Sequence, residues 1–382
     1  MRLFGMAALA DFLGDFVVYR NLEPVDPRLP RFAEVARALD LSPGPAPRKS
    51  DLDYARVIAR ILEAAQALVH PGVRLKRLLY LGDTRLLDST AFRNLKAVMD
   101  LPGWAFIASE DLKAPPRLEQ EGDLFVANRW RAVEDVLAIL TAQDFPLDEA
   151  TAVIVDMDKT AIGARGRNDK VIDQARVAAI WKTVAGTLGA AFQPEAFQEA
   201  YDTLNQARYH SFTADNQDYL AYICLMLSAG LYDLQSLLDD LAAGRMATFA
   251  QFIARVDDLL RGRPEDGVLE VHRQVWERVR VGDPTPFKAF RRNEYLETVA
   301  RLGHVTEPTS VADLLRQEIV VTQEIREAAE RCRASGALLF GLTDKPDEAS
   351  LPPDDLAARG FVPLHRARTH SVGDDTSPSL PS

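Results

Sequence analysis

Apolar residues in this chain fall into short runs that stop abruptly at a polar residue. Leu78–Leu81 leads into Gly82-Asp83, Trp104–Ala108 into Ser109-Glu110, and Leu124–Ala127 into Asn128. Ala152–Val155 leads into Asp156, and Ala337–Leu342 into Thr343. Each run is short for a helix and is followed by residues with helical periodicity, which is the pattern of buried parallel strands alternating with helices. The expected fold is α/β, a Rossmann-like parallel sheet flanked by helices. Ligands of such sheets bind outside the carboxyl ends of the strands. The polar residues that end these runs are therefore the first candidates for chemistry.

Between about Asn168 and Gly336 the pattern changes. Long amphipathic stretches such as DQARVAAIWKTVAGTLGAAF and VADLLRQEIVVTQEIREAAERCRASG dominate. They predict a large all-helical cap insertion, residues 166–336, between the two parts of one α/β core, residues 1–165 and 337–382. LSPGPAPRKS and KAPPRLEQEG read as Pro-rich loops, and DDTSPSLPS as a loose tail.

Composition narrows the partners. The 382 residues carry 45 Lys and Arg against 56 Asp and Glu, a formal charge of -11. That balance argues against nucleic acid, whose binders cluster cations on phosphates. It does not argue against a small phosphate ester, because a metal and backbone N–H groups can dominate locally. Two cysteines without CxxC spacing make a disulfide framework or structural zinc unexpected and point to a cytoplasmic protein. Asp11 and Asp15 interrupt the apolar N-terminus, which lacks a signal-peptide pattern, and no run is long enough for a membrane span. Lys288, Arg291 and Arg292 in FKAFRRNEY read as a solvated basic helix face. The histidines show no ligand spacing, and His365 and His370 read as structural.

The strongest chemical signal is AVIVDMDKTAIG. An apolar strand delivers Asp156 and Asp158 at its carboxyl end, with Thr160 two residues on. Strand alternation puts both carboxylates within reach of one substrate. Phosphoryl transfer uses such a pair: one carboxylate attacks phosphorus and the other handles the leaving-group proton. A nearby Mg²⁺ neutralises charge between an anionic nucleophile and an anionic phosphate. Thr160 is a substrate-binding candidate, or simply a helix cap.

This motif resembles the signature of the haloacid dehalogenase-like (HAD) hydrolase superfamily. The resemblance implies Asp156 as nucleophile, Asp158 as general acid/base, and Mg²⁺ held in part by both. Asp158 in the second position implies the phosphatase branches. The family also has a Ser or Thr ending a neighbouring strand, where Thr343 in GALLFGLTDKPDEAS matches. It further has a Lys and an acidic Gly-Asp motif, and too few residues follow Thr343 to supply them. RLLYLGDTRLLDSTAF, upstream, matches the acidic motif, implying Asp83 as a metal ligand and Asp88 as support for a metal-bound water. Lys49 takes the Lys position, with Lys345 competing for it. The pieces stand in rotated order, which implies a circularly permuted core.

The expected function is a Mg²⁺-dependent phosphatase of a small phosphomonoester. A non-catalytic phosphate-binding or regulatory protein on the same scaffold is the alternative. A further alternative makes residues 1–145 a separate module and takes the metal ligand from Asp374 or Asp375.

Overall fold

The protein is described by a computed structural model over residues 1–42, 44–308 and 310–374. Its strands are β1 (Arg2–Ala7), β2 (Val17–Val18), β3 (Arg77–Gly82), β4 (Gly103–Ala108), β5 (Leu118–Glu121), β6 (Leu124–Ala127), β7 (Thr151–Asp156), β8 (Val321–Thr322), β9 (Leu338–Leu342) and β10 (Thr369–Gly373). Seven of them form one sheet in the order β2-β9-β7-β3-β4-β6-β5. All its pairings are parallel except β5 with β6. The fold is α/β, with a mostly parallel sheet flanked by helices, and all five apolar runs read from the sequence are strands of it.

The central strand, TAVIVD, is buried at all six positions, as a strand covered on both faces must be. Its alternation decides which way the terminal carboxylate points. Ala152 and Ile154 pack on the face covered by the helices Leu52–Val69 and Leu87–Met99. Val153 and Val155 pack on the opposite face, with the helices Val133–Ala142 and Gln323–Ala334. Asp156 continues the even series, so strand parity aims it toward the Leu52–Val69 side.

β1, β10 and β8 make a second, three-stranded sheet. The chain divides into two compact units. One comprises residues up to Gln174 and the described residues from Thr298 onward; the other is Ala175–Glu297. The second unit is helical, with its own core around Phe197, Tyr222, Cys224 and Phe252.

Several expectations are corrected here. The helical unit is shorter than 166–336, because Ile325, Ala328, Ala329 and Cys332 pack on the main sheet. β8 interrupts what reads as continuous helix, where the run Ile319–Val321 favours strand. Part of KAPPRLEQEG is the edge strand β5, hairpinned to β6 with Glu121 opposite Leu124. An exposed edge tolerates its polar residues, which hid it. Arg291 is not solvated: it is buried against Asp218 (2.7 Å) and Glu294 (2.6 Å). The tail after Asp374 lies outside the described residues, as does Asp375. No helix among the described residues is long and apolar enough to cross a membrane.

Candidate active site

Three carboxylates meet at the carboxyl end of the sheet. β3 pairs with β7 in register, Leu81 opposite Val155, so Gly82-Asp83 emerges beside Asp156. Asp88 follows in the first turn of the helix Leu87–Met99. One carboxylate oxygen from each of Asp83, Asp88 and Asp156 lies within 4.8 Å of the others, and all three residues are buried.

Lys49 bridges two of the three carboxylates, Asp88 and Asp156. Its Nζ donates to Asp156 Oδ1 and to Asp88 Oδ1, both at 2.6 Å, and only 4% of its surface is exposed. It also lies 5.6 Å from the centre of the Tyr80 ring. The other Asp156 oxygen accepts from the Thr160 hydroxyl at 2.9 Å. Thr160 thus grips the carboxylate of its own motif.

Asp88 is the most heavily solvated-by-protein carboxylate of the three. Besides Lys49, it accepts from Tyr80 Oη (3.1 Å), the Asp83 and Thr84 N–H groups (3.0 and 2.8 Å) and the Thr84 hydroxyl (2.8 Å). Gly82 makes room for this: a Cβ there would sit 2.7 Å from Asp88 Cγ. Asp83 instead pairs with the Arg165 guanidinium.

The electrostatics follow from these partners. Burial works to raise the Asp88 carboxyl, but the Lys49 charge and the Thr84 donors outweigh it and hold the group well below the usual range. Burial pushes Asp83 up to about 7, reinforced by the Asp88 charge and only partly offset by Arg165. Burial also lifts Asp156 well above its ordinary value; Lys49 opposes this, while Asp88 and Asp83 add to it. Lys49 itself is desolvated, yet Asp156 and Asp88 keep its pKa well above that of a free lysine. Three buried carboxylates face two cations, Lys49 and Arg165, so the cluster holds more negative charge than its surroundings comfortably ionise. Hard oxygen donors with surplus negative charge suit a divalent cation such as Mg²⁺.

The Asp158 carboxylate is not one of the three. Asp158 is half-buried and has no hydrogen-bond or ion-pair partner among the described residues. It lines a narrow cleft with Thr343, Lys345, Tyr19 and Met157. Thr343 follows β9, which pairs with β7 on the side opposite β3, and its hydroxyl accepts from the Lys345 N–H at 3.1 Å. Lys345 is buried in that cleft. Asp374, the alternative ligand, pairs with the Met1 amino nitrogen at 3.0 Å.

Three contributors were not anticipated from sequence, Tyr80, Thr84 and Arg165, and neither was the buried Arg167 two residues beyond the last of them. Arg167 is buried and makes four bonds of 2.8 to 2.9 Å to Glu110 and Glu324. Between the two arginines, Gly166 has φ +79°, and a Cβ there would lie 2.0 Å from the Glu110 carbonyl oxygen. For the two arginines the available signal was Arg165-Gly166-Arg167, which begins five positions beyond Thr160. No family model, curated protein or solved structure matches the chain.

Proposed function

We propose that the protein is a Mg²⁺-dependent phosphatase of a small phosphomonoester, working through an aspartyl-phosphate on Asp156. The observation that carries this reading is the buried Asp83, Asp88 and Asp156 trio at the carboxyl end of adjacent parallel strands, with Lys49 bridging Asp88 and Asp156. Asp83, Asp88 and Asp156 would hold the cation, which would supply charge neutralisation between the nucleophile and the phosphate dianion.

An Asp156 oxygen attacks phosphorus while the bond to the ester oxygen breaks. Asp158, unpaired at the cleft, gives its proton to that leaving oxygen. It then takes a proton from water as the water attacks the aspartyl-phosphate, returning Asp156 and releasing inorganic phosphate. Lys49 and Thr160 orient the Asp156 carboxylate throughout, and the Thr343 hydroxyl would donate to a phosphoryl oxygen.

The same reading makes the sheet a circularly permuted HAD-like core. Its support is the order β9-β7-β3, which sets the Thr343 strand and the Gly82-Asp83 strand on either side of the Asp156 strand. The acidic strand nevertheless precedes Asp156 in the chain. The test is hydrolysis of p-nitrophenyl phosphate in Mg²⁺ by the wild type and by Asp156→Asn. Turnover by the wild type alone supports the reading; equal turnover by both removes Asp156 as nucleophile.

A further inference from the structure

Of the two cations at the trio, Arg165 is the open one: its side chain is 35% exposed, against 4% for Lys49. It hydrogen-bonds Asp83 through Nε alone, so four of its five N–H groups meet no acceptor among the described residues. Arg167, two positions on, differs: its Nε, Nη1 and Nη2 all meet Glu110 or Glu324, and its side chain is 1% exposed.

The backbone that carries Arg165 is fixed. Its N–H donates to the Lys159 carbonyl (2.8 Å), and its carbonyl accepts from the Glu110 N–H (2.9 Å) and the Trp130 indole (3.2 Å). Its partner Asp83 offers an oxygen within 4.8 Å of one from Asp156. An accessible guanidinium on a fixed base thus stands one carboxylate away from Asp156. Neutralising Asp83 takes a single N–H group and leaves the rest of the fork without a task in the fold. Parallel N–H groups of this kind match two oxygen atoms of one phosphoryl group at once.

We propose that Arg165 is a substrate-binding residue of this site, its Nη groups donating to oxygen atoms of the phosphoryl group held next to Asp156. This rests on the phosphate reading above. It is tested by calorimetric titration of the full chain as wild type, Arg165→Gln and Arg165→Lys. The work is done at about pH 8.5, where protons compete little with a cation for Asp83. Mg²⁺ is titrated first, then inorganic phosphate in saturating Mg²⁺.

In Arg165→Gln the phosphate Kd should weaken about ten- to hundredfold, as for loss of charge-assisted hydrogen bonds. Its Mg²⁺ Kd should be unchanged or tighter, since a positive charge has left the neighbourhood of the metal ligands. Retained Mg²⁺ uptake also shows that the trio still assembles in the variant. Arg165→Lys should recover only part of the phosphate affinity, because an ammonium presents no planar fork. An unchanged phosphate Kd in Arg165→Gln overturns the assignment. So does weaker Mg²⁺ binding, which would make Arg165 a residue that merely positions Asp83. Both outcomes leave the phosphate reading intact. If the wild type itself takes up no phosphate in Mg²⁺, that reading falls, and this contact falls with it.

Discussion

Lys49 precedes Asp156 by 107 positions, yet its Nζ lies 2.6 Å from an Asp156 carboxylate oxygen. The same nitrogen meets Asp88 at the same distance, so one buried cation links the strand that carries the proposed nucleophile to the helix that follows β3. Replacing it with alanine leaves two buried carboxylates without their shared partner. Lys49→Ala should therefore lose about 3–5 kcal/mol of stability, as when one member of a buried ion pair is deleted. Denaturant unfolding measures this, and added Mg²⁺ should restore part of the loss. A change within experimental error would mean that Lys49 does not balance these charges.

Asp83 titrates near 7 in the folded chain, against 3.8 for its ordinary value. Between those values the folded state binds more protons than the unfolded state. Its contribution to stability is thus greatest at low pH and is lost as pH rises toward 7, at up to about 1.4 kcal/mol per unit. Asp88, held low, behaves oppositely: its contribution is present above the ordinary carboxylate pKa and disappears in acid. Comparing metal-free wild type with Asp83→Asn across pH 5 to 8 isolates the first effect. Mg²⁺, which needs the ionised carboxylates, should bind more tightly as pH rises through the same window.

Gly82→Ala places a methyl group 2.7 Å from Asp88 Cγ, so Asp88 must move. The expected outcome is a Mg²⁺ affinity at least about tenfold weaker, the size of a lost ligand-positioning contact. Calorimetric Mg²⁺ titration of the variant checks it. Unchanged affinity would show that Asp88 need not occupy this position.

Arg167 binds Glu110, just past β4, and Glu324, at the start of the helix Gln323–Ala334. Arg167→Ala strands both carboxylates in the interior and should destabilise by about 3–5 kcal/mol. Arg167→Lys should recover little, because an ammonium cannot reproduce the forked geometry that meets two carboxylates at once. Thermal unfolding of the two variants distinguishes these outcomes.

Strands that are buried on both faces advertise themselves as unbroken apolar runs, which is why β3, β4, β6, β7 and β9 were legible in the sequence. Their terminal residues, Asp83, Asp156 and Thr343, were legible for the same reason. Lys49 was harder to see, since it sits in a Pro-rich segment where a solvated lysine is the ordinary reading. Edge strand β5 and the two-residue strands β2 and β8 carry too little apolar pattern to show. Tyr80 lies inside an apolar run, and nothing local reveals that its hydroxyl meets Asp88. Arg291 looked like surface because its partner Asp218 is 73 positions away. In each of these cases the missing information is a long-range pairing, which periodicity cannot encode.

The central claim is that Asp156 takes the phosphoryl group. Asp158→Asn should accept it from p-nitrophenyl phosphate, whose leaving group needs no proton, but should discharge it slowly, with turnover down by about 10²–10⁴. Borohydride reduction of this variant during turnover in Mg²⁺, followed by peptide mass mapping, reads out where the phosphoryl group sits. Conversion of Asp156 to homoserine is the predicted result. An intact Asp156, or a reduced residue elsewhere, would contradict the account.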